Sequence, residues 1–558
     1  MIKNSILLFF LLMISYKNLA QSGLISNHAM VVSAREEASK IGIEIMKKSG
    51  NAFDAMCATE LALAVAYPYA GNIGGGGFMV FRKSNGEIGS LDYREKAPLL
   101  ASKNMYLDKN SEVISNLSTN GALAIGIPGT IAGIFEVNKK FGKLSIPEIM
   151  KPVIDLAKGG IIVTTYQEKQ IANNIELIKK ISGSETLMSK SYKTGDTIKH
   201  LKLAETLTKI MLNGKNEFYK GETAKKIVAF IQKNGGIISM NDLAKYKPKW
   251  RKPISFDYKG LKIISMAPPS SGGITLQQIM KMIEPYDLAK LGHNSEQYIQ
   301  VLVEAERRAY ADRNYFLGDP DFVKIPKNQL LDNNYLNQRM QSFSFDKASK
   351  SSEIGHGEIS FSESNETTHY SIIDQFGNAV AATTTLNGAF GSKLYSEELG
   401  FFFNNEMDDF SSKPNVPNSY GLIGSKANEI VPQKRMLSSM TPTIVEKNKK
   451  LFMVLGTPGG STIITSVLQT ILNVSEFNMS IQDAVNAPRF HHQWLPDEIT
   501  FEPKAFDNKI LENLKLKQYK INQKNNPIIG KVDAILVLPS EKLNGGADKR
   551  GDDKAVGF

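Results

Sequence analysis

The sequence predicts a mixed α and β chain, built as one large layered domain or as two lobes. Three observations predict it. The 558 residues exceed an ordinary single domain. The hydrophobic fraction of 42% is that of a globular protein. From Ala29 onward, short strand-like runs alternate with helix-like ones.

Met30-Val31-Val32-Ser33 reads as a strand, and Glu36 to Lys48 as a helix ending before Gly50. Asn51 is placed to cap a second helix, Ala52 to Ala66, rich in alanine and leucine. Gly74 to Gly77 are consecutive glycines leading into the strand Phe78 to Arg82, which predicts close packing of backbone beside a site. No Gly-Lys-Ser/Thr follows, so this is not a P-loop. A strand Ile88 to Arg94 comes next, then helical patterns from Gly129 to about Leu243. Ile254 to Met266 returns to strand character. The turn Ala267-Pro268-Pro269-Ser270-Ser271 leads into a helix from Thr275 to Ile283. Ser295 to Tyr315 reads as a long helix whose Glu304, Glu306, Arg307 and Arg308 make a salt-bridged face. Lys347 to Glu366 is polar and reads as a mobile connector. Beyond it, strands are expected near 369–374, 379–386, 399–404, 443–446, 451–456 and 533–538, and helices near 460–474 and 480–487.

The N-terminus, residues 1–20, has the pattern of a signal peptide. Lys3 is followed by the apolar run Ile6 to Ile14, too short to span a membrane, and by Asn18-Leu19-Ala20 before Gln21. No later stretch is apolar enough for a membrane span. The expectation is an exported soluble chain, periplasmic or secreted if the source is bacterial. The net charge of +11 comes from scattered lysines, with no basic block interleaved with aromatics, which argues against nucleic-acid binding. The single cysteine, Cys57, excludes an intrachain disulfide or a cysteine zinc cluster and reads as a buried thiol.

The chemistry concentrates after residue 365. Thr367 to Asp374 and Asn378 to Asn387 flank the turn signal Gln375-Phe376-Gly377. A hairpin centred on Phe376 sets Thr367 opposite Thr385. β-branched residues also suit strands for packing reasons alone. A threonine hydroxyl needs an adjacent base to act as a nucleophile. A free α-amino group, titrating near about 7.7–8.0, supplies one if the chain is cut before Thr367. Thr367 can make that cut by attacking the Glu366 carbonyl, with an N-to-O acyl shift and hydrolysis of the ester.

Several ordered motifs accompany this hairpin: Thr367-Thr368-His369-Tyr370-Ser371, Asn404 to Phe410, Leu437-Ser438-Ser439-Met440-Thr441-Pro442, and Gly456-Thr457-Pro458-Gly459-Gly460-Ser461. Gly74 to Phe78, Gly126 to Thr130 and Asn486 to His491 support them. With these motifs the chain resembles the γ-glutamyltranspeptidase family of N-terminal nucleophile hydrolases over nearly its whole length. The resemblance implies an α+β fold, a four-layer αββα sandwich. It implies a proenzyme cut between Glu366 and Thr367 into a large fragment, 21–366, and a small one, 367–558, that stay together. It implies glutathione and other γ-glutamyl compounds as substrates, no cofactor and no metal, so His491-His492 is given a structural role.

The resemblance also assigns roles. Thr367 attacks the γ-carbonyl and Thr385 holds it in line. Gly459 and Gly460 turn backbone N–H groups to the oxyanion, where one such donor is worth about 2.7–4 kcal/mol. Arg94 clamps the α-carboxylate with its planar fork, helped by Ser438 and Ser439. Asn387, Glu406 and Asp409 accept from the α-ammonium, and Tyr420 sits on a lid loop. Taken singly, Arg94 and Asp409 would read as a structural ion pair and a surface turn. Glu406 departs from a family pattern that has Gln, Thr275 stands where His is frequent, and Asp548-Lys549-Arg550 replaces Asp-Pro-Arg. Two rivals are an acylase for another substrate on the same scaffold and a silent binding protein.

Overall fold

The structure, a computed structural model, describes residues 23–356, 366–411, 425–522 and 528–558. Residues 1–20 and Tyr420 lie outside the described residues.

Two antiparallel seven-stranded sheets stand face to face. One runs Lys554–Gly557, Met30–Ser33, Glu366–Ile373, Ala379–Asn387, Gly76–Arg82, Ile88–Asp92, Lys249–Arg251. The other runs Leu24–Ser26, Leu543–Ala547, Asp533–Val537, Lys450–Gly456, Thr443–Lys447, Leu261–Ser265, Ile254–Tyr258. Strand alternation separates the two faces of the first sheet. Phe78 and Val80 meet Ile264, Val454 and Ile535 between the sheets. Met79 and Phe81 point the other way, into the core formed with the helices Glu36–Lys47 and Ala52–Ala66. The second sheet is covered on its outer face by Gly272–Ile283, Glu296–Phe316 and Thr462–Ser475. The layers are therefore α, β, β, α, as the resemblance implied.

Ala52–Ala66 is buried on every side. This explains why it is alanine-rich and carries no polar stripe. Asn51 caps it in a full capping box with Asp54. Cys57 is buried as expected.

Some expectations are corrected. Glu304 pairs with Arg307 and Arg308 as expected, but all four charged side chains are buried, and Glu306 makes no ion pair among the described residues. Further partners arrive from distant segments: Asp497 takes Arg307, the Arg339 carbonyl takes Arg308, and the His492 N–H meets Glu306. The connector is anchored in its described part, where Ala348 N–H donates to Lys517 O and Ser351 N–H to Asp497. Residues 357–365 lie outside the described residues. The run Ile254 to Met266 is two strands joined at Lys259 and Gly260, both with positive φ. The expected strand at 399–404 is only Phe401–Phe402.

Candidate active site

The turn of the Thr367 hairpin is fixed by one side chain. The Asp374 carboxylate accepts from Phe376 N–H, Asn378 N–H and Ala52 N–H, and Gly377 takes φ +84°. That turn sets the register, and Thr367 stands opposite Thr385. The pairing is regular from Thr367 to Ile373 and shifts between Glu366 and Thr367. Residues 369, 371 and 373 on this strand face the other sheet: the His369 ring lies against Gly456, Ser371 Oγ donates to Asp533 O, and Ile373 joins the inter-sheet core. Alternation puts Thr367 on the same face, at the end of the gap between the sheets. Thr367 Oγ1 lies 3.5 Å from Thr385 Oγ1, and Asn387 N–H donates to Thr385 Oγ1 at 2.7 Å.

The glycine run packs along the partner strand. A Cβ on Gly75 would meet Thr385 O at 2.1 Å, and one on Gly77 would meet Thr383 O at 2.5 Å. Asn404, the first residue of the Asn404 to Phe410 motif, ties the neighbourhood together. Its Nδ2 donates to Gly74 O and Gly126 O, and its Oδ1 accepts from Gly126 N–H and Glu406 N–H.

Arg94 follows the strand Ile88–Asp92 and is held at both ends of its backbone. Its N–H donates to Asp92, and its carbonyl accepts from Tyr246 OH. Its guanidinium donates to Glu406 through Nη1 and to Asp409 through Nη2, and Nη2 also reaches Leu437 O at 3.2 Å. The two signs foreseen for a zwitterionic head group thus contact each other, all of them buried. Asn387, at φ +71°, donates through Nδ2 to Asn405 O, which links this cluster to Thr385. Glu95 lies 3.8 Å from Arg94, and burial pushes its carboxyl up to about 8, against the pull of Arg94. Beneath the hairpin, Glu60 accepts from Tyr370 and Tyr93, and burial raises it to about 7.

Ser438 and Ser439 follow Leu437 directly. Ser438 Oγ accepts from Met440 N–H, and Ser439 Oγ accepts from Arg313 Nη2 at 2.8 Å. Nothing in the sequence sets Arg313 apart, because it sits in a helix crowded with charges. Gly459 and Gly460 take φ +134° and +57°, in the region that favours glycine. Their loop leaves the strand Lys450–Gly456 and turns into the helix Thr462–Ser475, with Thr462 N–H on Gly459 O and Ile463 N–H on Gly460 O. His369 is neutral: burial lowers it to about 3. Ser371 Oγ already donates to Asp533 O, so it accepts from His369 Nε2–H, and Nδ1 accepts from Thr383. His491 is hydrogen-bonded through Nδ1 to Thr465 Oγ1 and through Nε2 to Gln493 Oε1.

A four-layer sandwich with a threonine near the start of a central strand is the arrangement of the N-terminal nucleophile hydrolase class. A family model described as Gamma-glutamyltranspeptidase matches residues 38–558, and the chain belongs to that family. It is 44% identical over 542 residues to the protein called glutathione hydrolase proenzyme of Escherichia coli (strain K12), spanning 96% of this chain and 92% of that one. The solved γ-glutamyltranspeptidase of Helicobacter pylori superposes at TM-score 0.56 and 43% identity, covering 58% of this chain and 93% of that chain. The cephalosporin acylase of Bacillus halodurans shares the fold at TM-score 0.85 with 23% identity, covering 98% of each chain.

Proposed function

We propose that this chain is a self-processing γ-glutamyl hydrolase and transpeptidase acting on glutathione and γ-glutamyl amides. The observation that carries the reading is the register of Thr367 against Thr385, beside a buried arginine flanked by two carboxylates. In the precursor, Thr367 Oγ1 attacks the Glu366 carbonyl carbon. The acyl group moves from nitrogen to oxygen, and water hydrolyses the ester. The large fragment is then 21–366 and the small one 367–558. Both sheets contain strands from each fragment, so the cut leaves the pairings Ser33–Tyr370 and Gly76–Thr385 in place.

The freed amine takes the Thr367 hydroxyl proton as Oγ1 attacks the γ-carbonyl. The N–H groups of Gly459 and Gly460 hold the oxyanion. The amine passes the proton to the departing amine, which leaves a γ-glutamyl ester on Thr367. Water or an amino acid then resolves the ester. Arg94, Ser438 and Ser439 hold the α-carboxylate, Asn387, Glu406 and Asp409 receive the α-ammonium, and Tyr420 closes the pocket. The lysine-led apolar N-terminus fits export to the periplasm or medium, and no helix among the described residues is long and apolar enough to cross a membrane.

N-terminal sequencing of active material tests the cut. A chain starting Thr-Thr-His-Tyr is expected, and Thr367→Ala is expected to stay full length and inactive. Fragments from Thr367→Ala would overturn self-cleavage. Absence of γ-glutamyl-p-nitroanilide turnover by processed wild type would overturn the substrate assignment.

A further inference from the structure

Arg313 lies on the helix Glu296–Phe316 and is 1% exposed. Its Nε donates to Ser271 Oγ at 2.9 Å, its Nη1 to Asn314 Oδ1 at 3.0 Å, and its Nη2 to Ser439 Oγ at 2.8 Å. A guanidinium has no acceptor, so both hydroxyl oxygens must accept there. Ser271 spends its own proton on Ser438 O at 2.8 Å, and Ser271 N–H reaches the same carbonyl at 2.7 Å. The Ser439 hydroxyl proton has no acceptor among the described residues. Ser438 is alike: its Oγ accepts from Met440 N–H, and its proton has no acceptor among them either. Both serines are buried, and the residue before them receives Arg94 Nη2.

A buried hydroxyl proton without a partner is costly. Two of them side by side, next to a guanidinium, form a donor set suited to one anionic group. We propose that Arg313 is a positioning residue that fixes the polarity of Ser439. By occupying the oxygen as a donor and tying the Ser438 carbonyl through Ser271, it leaves the Ser439 O–H able only to donate toward the substrate carboxylate. It also places a second full positive charge one side chain behind that carboxylate. This rests on the γ-glutamyl reading above and extends it: recognition of the acidic head group is shared between Arg94 in front and Arg313 behind. An anilide with the same acyl chain but no carboxylate gains nothing from either.

The experiment compares two binding constants in processed enzyme. One is the KM of γ-glutamyl-p-nitroanilide. The other is the competitive Ki of 4-aminobutyryl anilide, which keeps the amine and lacks the carboxylate. In Arg313→Met the ratio of KM to Ki is expected to rise about tenfold, as for loss of one hydrogen bond to a charged group. Ser439→Ala is expected to raise it similarly, and the double variant to rise no further than the larger single effect. Arg313→Lys keeps the charge but cannot bridge both hydroxyls, so it should show a smaller rise of the same sign. It carries the comparison should Arg313→Met fail to fold. A joint rise of KM and Ki, or a double variant equal to the product of the singles, overturns the proposal. If wild type binds the two anilides alike, or Arg94→Met leaves the ratio unchanged, the γ-glutamyl reading itself has failed. If wild type and Arg94→Met behave as expected and the Arg313 variants do not, only this inference falls.

Discussion

On the proposed function, Arg94→Met separates two jobs of one side chain. The guanidinium is 1% exposed and donates to Glu406 and Asp409, which are themselves 1% and 4% exposed. Removing it leaves two carboxylates in a buried site without their cation, a loss of about 3–5 kcal/mol. The melting temperature should therefore fall along with substrate affinity. Truncating one partner of a buried charge contact costs about 2 kcal/mol or more, so KM for γ-glutamyl-p-nitroanilide should rise at least about thirtyfold. Glu406→Gln in the Arg94→Met background removes one of the stranded charges. That double variant should regain part of the lost stability and none of the lost affinity. The pH dependence has a definite sign. Stranded buried carboxylates have raised folded pKa values, so they weaken the variant as pH rises. The stability gap to wild type should narrow from pH 8 to pH 5. A gap independent of pH, together with no rescue by Glu406→Gln, would refute the ion-pair account. Recovery of KM in the double variant would refute the binding account.

Other perturbations give equally direct readings. Gly459→Ala forces a side chain into φ +134° with its Cβ 2.5 Å from Thr462 Oγ1, so kcat should fall about 100- to 1000-fold in single-turnover assays while the fold persists. His369 is neutral in the fold with its pKa lowered to about 3, whereas an unfolded histidine titrates near about 6.5. The unfolded state then binds the extra proton as pH falls below 6.5, so the stability advantage of wild type over His369→Asn should shrink by about 1.4 kcal/mol per pH unit, read by denaturant midpoints.

The parts legible in the sequence are those set by neighbours in the chain. The hairpin register follows from a turn whose Asp374 and Gly377 lie within a few residues of the strands they join. The Asn51 cap and the helix Ala52–Ala66 are equally local. The glycine run could be read as close packing, although only the fold shows that Thr383 and Thr385 are what it packs against. Failures came where distant segments decide. Charges on Glu296–Phe316 read as a salt-bridged face, and Glu304 does pair with Arg308, but their burial depends on Asp497, His492 and the Arg339 carbonyl from distant segments. Leu543–Ala547 is short and carries two glycines, and Lys554–Gly557 is short and begins with a lysine, so neither carries a clear strand pattern. Partners elsewhere in the chain make them strands: Leu543–Ala547 pairs with Asp533–Val537, and Lys554–Gly557 with Met30–Ser33. Arg313 was invisible for the same reason as its helix neighbours, since its meaning lies in Ser271 and Ser439.

The irregularity between Glu366 and Thr367 bears on how a chain can cut itself and remain intact. A self-cleaving precursor must hold the attacking hydroxyl still while letting the adjacent peptide leave the pleat, because a regular extended ladder keeps each carbonyl engaged with its neighbour. Here regular pairing with Ala379–Asn387 begins at Thr367 and runs to Ile373. Met30–Ser33 supports the same strand from its other side between Tyr370 and Ile373. Thr367 is thus the first residue of the regular ladder, and the bond before it is where the register shifts. Severing that bond removes no pairing beyond Thr367, and the strand gains a free amine where its first hydroxyl already faces Thr385. On the proposed mechanism the geometry that permits the cut is therefore the geometry that later serves turnover, and no rearrangement of the sheets is needed between the two.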